Sequence, residues 1–395
     1  MDYAISADDR ARLERLREIG RTEFRPAGLR ADRAGTPLPV DDPFFCRMLE
    51  LGFGRTSWRP PGASHDGAGK APNKAESAVS GVLLAEEGAY WDRGIGVAMP
   101  GPGLGESPVL GLGTPEQQAR FLSPFVDPAK PIWGAFAMSE PSGGSDVANI
   151  RTRATRDGDH WVLNGAKAWS GNAFRGEWVV VFATIDPSMG RAGHRAFVVE
   201  RGTPGFGEHR IEKKMGLRAY ESVSFFLTDC RVPAANLLGG EAHTTQRTGF
   251  KGAMNTFNAG RPAIGAMAVG MGRAALDESV RFAREAGLWK RERVRDRIER
   301  SRRKLKSALL LALRAAWMAD QRIPNAVEAS MAKAIGPLAA IEAAAIGIEL
   351  LDLAGGRGDH VIEKIFRDVK ALDIVEGTGQ IQRIVMARGL VGLPN

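Results

Sequence analysis

Apolar residues recur at helical spacing through the first part of the chain. They lie three or four positions apart and are Leu13, Leu16, Ile19, Phe44, Met48 and Leu51. Because that spacing places side chains on one face of a helix, it predicts helices over 8–30 and 41–53, and a further helical pattern covers about 76–90. The Gly- and Pro-rich stretch 95–114 is either a helix broken by glycines or an active-site loop. Thr114-Pro115 then predicts a helix start.

The pattern changes to one of strands near residue 131. Runs rich in β-branched and aromatic residues lie at Trp178–Thr184, Ala196–Glu200 and Ser222–Thr228, and such runs are typical of strands. The pair Asn164-Gly165 follows the run His160-Trp161-Val162-Leu163 and predicts a two-residue hairpin turn, because both residues tolerate positive φ.

Helical spacing returns from about residue 246. The run 290–306 holds ten Lys or Arg and three acidic residues. Its apolar positions are Val294, Ile298 and Leu305. They share one stripe, which predicts an amphipathic helix with a solvated basic face. Apolar, alanine-rich helices are expected over 306–320 and 327–353, and Gly336-Pro337 is expected to kink or interrupt the second of these.

These patterns divide the chain into three domains of a multi-domain α and β fold. The N-terminal domain, 1–130, is predicted to be α-helical, and the middle domain, 131–240, is predicted to be a β domain. The C-terminal domain, 241–395, is predicted to be α-helical and similar to a four-helix bundle. A chain of 395 residues is long enough for such a division.

Composition and charge narrow the class of protein. The chain is 44% hydrophobic and 25% charged, which is ordinary for a globular protein. The sequence has no run of 18 apolar residues, so a membrane span is not expected. Two cysteines and no apolar leader favour a cytoplasmic protein. The net charge is +8, and the run 290–306 supplies seven of these charges. The rest of the chain is therefore nearly neutral, so nucleic-acid binding is not expected. The six histidines are scattered, which predicts no metal site.

Two separate motifs carry candidate chemistry. Glu376 lies in Ile374-Val375-Glu376-Gly377-Thr378-Gly379-Gln380, between apolar residues and a glycine. A carboxylate in an apolar pocket has a raised pKa and suits a general base, although an exposed Glu in a helix connection has the same sequence signature. The small-residue stretch 136–146 lies far upstream, and Trp169 follows it. Its backbone donors can bind a planar ring, and a flat indole can shield such a ring from water.

Together the motifs resemble the FAD-dependent acyl-CoA dehydrogenase family, most strongly over 115–240 and 340–390. The resemblance implies that Glu376 is the catalytic base. The family's other base position falls at Gly260, which has no carboxylate. The resemblance also implies a set of FAD-binding residues, namely Phe136, Met138, Ser139, Gly144, Ser145, Trp169, Gly171, Gly355, Gly356, Thr378 and Gln380. The substrate-binding residues it implies are Ser145, Asn258, Arg261 and Gly377.

Some positions depart from the family pattern. Gly171 stands where relatives commonly have a threonine, and Asn258 stands where they often have an acid. The loop 284–296 is about five residues shorter and lacks the Arg-x-Gln-Phe-Gly sequence that reaches the FAD of a neighbouring subunit, although Trp289 can replace the packing of the Phe. Arg261 is expected to open a helix, where an anion of CoA would be favoured.

The resemblance implies a defined reaction. The expected activity is α,β-dehydrogenation of an acyl-CoA thioester to a trans-2-enoyl-CoA, in fatty acid metabolism, with an electron-transfer flavoprotein as acceptor. The expected assembly is a homo-oligomer, a dimer or tetramer. Three alternatives remain open at this point. They are a flavin monooxygenase or oxidase of the same superfamily, a DNA-associated flavoprotein relative, and a partial subunit of a hetero-oligomer.

Overall fold

A computed structural model describes residues 5–60, 62, 77–242, 249–352 and 355–393, and for 249–259 it describes the backbone alone. Helices occupy the first part, strands the middle and helices the last part. The fold is therefore a β domain between two helical domains, as the sequence predicts. The side chain of Asn258 lies outside the described residues.

The described residues of the N-terminal part form six α-helices. They are α1 (Ala7–Ile19), α2 (Arg25–Ala34), α3 (Pro43–Glu50), α4 (Ala78–Ala98), α5 (Glu106–Leu112) and α6 (Pro115–Leu122). A π-helical turn joins α1 to α2. The predicted start at Thr114 is confirmed, because its hydroxyl accepts from the Gln117 amide and the Gln117 side chain accepts from the Thr114 N–H. The Gly- and Pro-rich stretch between α4 and α6 forms short helical segments. Of the two alternatives, this favours a helix broken by glycines over a loop.

The middle part forms one seven-stranded sheet. The strands are β1 (Gly134–Ala137), β2 (Arg153–Asp157), β3 (His160–Gly171), β4 (Trp178–Thr184), β5 (His194–Glu200), β6 (Phe206–Ile211) and β7 (Ser222–Pro233). Their order is β1-β4-β2-β3-β7-β6, with β5 paired to β4. Strand β4 is buried along its whole length, so it forms the centre of the domain. The strands predicted at 178–184, 196–200 and 222–228 are confirmed.

The hairpin predicted at Asn164-Gly165 is wrong. The turn lies instead at Gly158, whose φ is +59°, and it joins β2 to β3. Asn164 and Gly165 continue β3, where the register with β7 shifts between Leu163 and Gly165. A Cβ on Gly165 would lie 2.6 Å from Oγ1 of Thr152. The glycine therefore serves a bulge and a close strand contact, two roles that this residue also takes in sheets.

Within its described residues, the C-terminal part contains five α-helices. They are α7 (Gly249–Glu285), α8 (Glu292–Asp320), α9 (Ala326–Leu351), α10 (Val361–Ile374) and α11 (Gly379–Leu390). Pro337 does not interrupt α9 as predicted, because the helix continues through it. Gly336 instead permits close packing, since a Cβ there would lie 2.6 Å from the carbonyl oxygen of Gly265 on α7. By length and composition alone α9 resembles a membrane span, but more than half of its apolar window is buried among the other helices.

The basic run forms the first half of α8, as predicted, with Ile298 and Leu305 buried. Much of its charge is paired. The pairs are Arg297–Glu349, Arg300–Asp296, Arg302–Glu299 and Lys304–Glu342. Pairing with acids on α8 and α9 leaves less free positive charge for a polyanion than the sequence alone indicates.

Helices α4 and α7 pack closely against each other across the two helical parts. A Cβ on Gly270 would lie 2.0 Å from the backbone oxygen of Glu86. We therefore expect Gly270→Ala to lower the midpoint of thermal unfolding, because overpacking costs about 1–3 kcal/mol. The control is Gly111→Ala in α5, where an added Cβ meets nothing within 4 Å. Ala is the better helix former there by up to about 1 kcal/mol, so equal midpoints for the two variants would contradict this packing.

Candidate active site

Glu376 lies in the short turn between α10 and α11. Its φ is +54° and that of Gly377 is +89°. Positive φ is uncommon for a residue other than glycine and costs about 1–3 kcal/mol, so the surrounding structure must hold it. Thr378 then begins α11 as its N-cap, as predicted, and its hydroxyl accepts from the Ile381 amide.

Two buried side chains hold this turn. The Nζ of Lys333, on α9, donates to the carbonyl oxygens of Asp373 at 3.0 Å and Gly377 at 2.5 Å. The Nε2 of Gln382, on α11, donates to the carbonyl oxygens of Glu376 at 3.3 Å and Gly377 at 2.9 Å. Both side chains are fully buried. The backbone of the turn is thus fixed from two helices, and the direction of the Glu376 side chain is fixed with it.

The environment of the Glu376 carboxylate is that of a general base. Burial raises its pKa above the usual range, and the charges of Arg93, Lys333 and Arg261 oppose this without cancelling it. Its Oε2 is buried and has no hydrogen-bond partner in the described part of the chain. A free, desolvated carboxylate of raised pKa is suited to accept a proton from a bound ligand.

Gly260 faces the same carboxylate. A Cβ at this position would lie 2.6 Å from Oε2 of Glu376. The two positions that the resemblance names as alternative sites of the base therefore adjoin one another in space. The glycine leaves room for the Glu376 carboxylate.

The position expected for Arg261 is wrong. Helix α7 begins at Gly249, so Arg261 lies well inside it and not at its N-terminus. Its side chain is buried, burial lowers its pKa, and the charge of Glu376 raises it. Helical spacing already begins at about residue 246. Pro262 is also typical of a helix start, so the sequence does not show that one helix continues through Arg261. Arg261 therefore acts on the Glu376 carboxylate. It does not form the expected site for a CoA anion at a helix end.

The small-residue loop is held by a buried ion pair that sequence reasoning missed. Glu140 Oε1 lies 2.9 Å from Nζ of Lys167 and accepts from the amide and hydroxyl of Thr152. Lys167 also donates to the carbonyl of Met138 at 3.0 Å, and the Ala168 amide donates to Ser139. Burial raises the pKa of Glu140, but Lys167 and these hydrogen bonds lower it more, so the net shift is downward. The loop is thereby fastened to β3.

The loop and β3 carry three features of the kind that bind a planar ring. Trp169 has a φ of +61° and is 62% exposed, which is unusual for a large apolar side chain. The neighbouring Ser170 hydroxyl is buried without a partner among the described residues. A Cβ on Gly144 would meet nothing within 4 Å, so the packing of this chain does not require glycine there. Exposed indole, free hydroxyl and open backbone are features that a bound ligand would use.

The other residues predicted to bind a ligand differ in how far they are buried. Met138 is buried and Phe136 is half-buried, both in the sheet core. Ser145 and Gln380 are exposed, Gly355 is buried and Gly356 is exposed.

The two motifs meet at residues that the sequence did not single out. A Cβ on Gly171 would lie 3.5 Å from the ring of Tyr220, in ordinary contact. Tyr220 and Glu376 both act electrostatically on Arg93. Arg93 is therefore near both the Glu376 carboxylate and Tyr220, and Tyr220 adjoins Gly171 on β3. The available signal was the charged pair Asp92-Arg93 in the second half of α4, a helix whose other charged residues are Glu86 and Glu87.

Comparisons with known proteins agree with this arrangement. The chain matches the family profiles "Acyl-CoA dehydrogenase, middle domain" over residues 135–230 and "Acyl-CoA dehydrogenase, C-terminal domain" over 247–391. It is 38% identical over 293 residues to the mitochondrial short-chain specific acyl-CoA dehydrogenase of Rattus norvegicus, covering 72% of this chain and 68% of that protein.

Solved structures share the fold over nearly the whole chain. Butyryl-CoA dehydrogenase from Megasphaera elsdenii has a TM-score of 0.85 and 28% identity, and the match covers 99% of this chain and 100% of that one. A chain in a structure described as the electron transferring flavoprotein of Acidaminococcus fermentans has a TM-score of 0.86 and 29% identity, with the same coverage.

The Glu140–Lys167 pair generates a stability prediction. We expect Lys167→Met to lower the midpoint of thermal unfolding at neutral pH, because removing one partner of a buried pair costs about 3–5 kcal/mol. The depressed pKa of Glu140 means that its contribution is present above pH 4.5 and is lost as the pH falls through the lower folded value. The difference between wild type and variant should therefore shrink in acid.

The double variant Lys167→Met/Glu140→Gln is the matched control. It removes the unpaired charge, so it should recover part of the lost stability at neutral pH. A single variant as stable as wild type, or no recovery in the double variant, would show that the pair does not hold the loop.

Proposed function

The chain belongs to the acyl-CoA dehydrogenase family, and we propose that it catalyses the α,β-dehydrogenation of an acyl-CoA thioester to a trans-2-enoyl-CoA. The observation that carries this proposal is the Glu376 carboxylate, which is buried, free of hydrogen bonds at Oε2 within the described residues, and raised in pKa. A general base at a thioester α-carbon needs these properties.

FAD is the cofactor of this family, and the residues present fit it. The exposed Trp169, the partnerless Ser170 hydroxyl and the open backbone at Gly144 supply a face for the ring. When bound, FAD supplies the two-electron acceptor that no amino-acid side chain provides. Gly171 lacks the hydroxyl of the threonine that relatives commonly have there, so backbone groups or water take its contact with the flavin.

The residues of this chain supply the proton chemistry and the positioning. Glu376 takes the α-proton at its free Oε2. Lys333 and Gln382 hold the turn that carries Glu376, and they act as positioning residues because they contact its backbone. The three cations near Glu376 keep part of it ionised despite burial, since each lowers its pKa. Activity should accordingly fall as the pH drops through the raised pKa.

An electron-transfer flavoprotein is the electron acceptor that we propose, by likeness to the family, and a cytoplasmic location stays a prediction. A flavin oxidase or monooxygenase of the same superfamily is less well supported, because the site retains the carboxylate before Gly-Thr. The DNA-associated alternative is weakened by the ion pairs along α8.

We also propose a homo-oligomer. Exposed large apolar residues recur on the C-terminal helices and are Leu310, Ile335, Leu338, Phe366, Ile374, Ile384 and Leu390. Gly355 and Gly356 are the residues whose backbone would approach the FAD of a neighbouring subunit. The alternative of a hetero-oligomer rests on the short loop after α7.

Replacing the base tests the reaction. We expect Glu376→Gln to retain bound yellow FAD but to lose about 10²–10⁴-fold in the rate of flavin bleaching by butyryl-CoA under anaerobic conditions. The control is Glu299→Gln, an exposed carboxylate on α8 paired with Arg302, which should bleach at the wild-type rate.

Three results would separate the alternatives. Wild-type bleaching in Glu376→Gln would overturn the assignment of the base. Rapid reoxidation of the reduced flavin by air would favour an oxidase. Product that contains oxygen from air would favour a monooxygenase.

Light scattering of the purified chain tests the assembly. We expect a mass of two or four times 42.5 kDa with FAD bound. A single-chain mass with full FAD occupancy would contradict the homo-oligomer, and FAD binding that appears only after addition of a second kind of subunit would support the hetero-oligomer.

A further inference from the structure

Tyr220 is a large side chain beside the end of β3 to which the proposed reaction gives no role. A Cβ on Gly171 would lie 3.5 Å from Cε2 and 3.7 Å from Cδ2 of the Tyr220 ring. In another direction it would lie 3.9 Å from Cγ1 of Val97 on α4. A methyl group at position 171 therefore makes ordinary contacts, whereas the two γ atoms of a branched side chain would compete with the Tyr220 ring for space.

The backbone does not require glycine at position 171. Gly171 is the last residue of β3, where it pairs with Ser222 of β7, and its φ is not positive. A glycine in a strand often marks a site where another group approaches closely. Here the approaching group is the aromatic ring of Tyr220, so the small residue and the large one are linked.

The position of the Tyr220 ring is fixed from two sides. Nζ of Lys214 lies 4.0 Å from the ring centroid, and the same amine donates to the Tyr220 carbonyl oxygen. The next residue, Glu221, accepts from the Asn172 amide at 3.1 Å through its carbonyl oxygen and from the Arg175 amide at 2.9 Å through its carboxylate. Because Asn172 directly follows the last residue of β3, these bonds hold Tyr220 against the end of that strand.

Tyr220 adjoins both parts of the candidate site. Trp169 and Ser170, which carry the exposed indole and the buried hydroxyl of the ring-binding surface, directly precede the glycine that Tyr220 contacts. Tyr220 also lies near Arg93, which is near Glu376. Burial raises the pKa of the Tyr220 phenol, yet the residue keeps some accessible surface. A mostly buried aromatic residue beside a binding surface is typical of the wall of a ligand pocket.

We propose that Tyr220 is an FAD-binding residue whose aromatic ring forms the wall of the flavin site beside Gly171. The inference rests on FAD as the cofactor of the proposed function. A flat, apolar side chain packs against a planar ring and excludes water from it. Gly171 and Tyr220 act as one unit, because a larger side chain at position 171 would need the space that the tyrosine fills.

Release of FAD from the purified holoenzyme tests this contact. The enzyme is diluted in steps, and the fluorescence of the released FAD gives the dissociation constant. Tyr220→Ser should weaken FAD binding by about tenfold, which corresponds to about 1.4 kcal/mol. It should also shift the visible absorption maximum of the flavin that stays bound. Tyr220→Phe should retain the wild-type affinity and spectrum, because it keeps the aromatic ring.

Substitutions at Gly171 test the proposed pair. Gly171→Ala should bind FAD as wild type does, because a Cβ there makes ordinary contacts. Gly171→Thr should weaken binding by about tenfold, because its γ atoms displace the Tyr220 ring. In the double variant Tyr220→Ser/Gly171→Thr the threonine has the vacated space, so the affinity should return to within about threefold of wild type. Equal affinities of Gly171→Ala and Gly171→Thr would contradict the pairing, even where Tyr220→Ser does not fold.

The control variant is Tyr90→Ser, which removes a partly buried tyrosine of α4 whose hydroxyl donates to Asp277 at 3.2 Å. It should change neither the affinity for FAD nor the spectrum. The proposal is overturned if Tyr220→Ser holds FAD as tightly as wild type, or if Tyr220→Phe weakens binding as much as Tyr220→Ser. It is also overturned if the two single effects add to about a hundredfold in the double variant.

Failure of the proposed function gives different results. A wild-type chain that binds no FAD would overturn the cofactor and this contact together. Wild type that binds FAD but is not bleached by butyryl-CoA would overturn the dehydrogenation alone, because the affinities of the Tyr220 and Gly171 variants are measured without substrate.

Discussion

One buried carboxylate in a strained turn is the constraint around which the C-terminal helices are arranged. The positive φ of Glu376 and the desolvation of its side chain both oppose folding. The fully buried Lys333 and Gln382, which come from α9 and α11, offset this by binding the carbonyl oxygens of the turn. Such a turn persists only where neighbouring elements determine it, and here three helices meet to do so.

Features encoded by neighbouring residues were predictable from the sequence. The N-caps at Thr114 and Thr378 depend on a hydroxyl and an amide three residues later, and both are as expected. The amphipathic stripe of α8 and the apolar strand β4 follow from the period of apolar positions. The roles of the family's ligand-binding residues remain predictions carried by resemblance.

Features that depend on distant contacts were not predictable. Asn164-Gly165 has the composition of a hairpin turn, but a Cβ on its glycine would clash with Thr152, which directly precedes β2. Gly336 likewise packs against Gly265 on another helix, and the Gly-Pro pair does not end α9. Lys167 and Lys333 look like ordinary surface lysines in sequence, and burial lowers the pKa of each to about 8. Neither the spacing of apolar residues nor the local composition of the sequence indicates any of these partners.

Helix α10 connects the residues that position Arg93 and Glu376, a cation and the carboxylate of the site. Asp92 interrupts α4 with non-helical backbone angles, directly before Arg93. Lys364, near the start of α10, pairs with Asp92, and Asp368 binds the same lysine, so the break in α4 is anchored there. Glu376 follows two residues after the end of the same helix. A single helix therefore sets the position of the base relative to Arg93. A change in the Asp92–Lys364 contact would move the cation with respect to the carboxylate without touching either, which makes this buried pair part of the geometry of the site and not only of its stability.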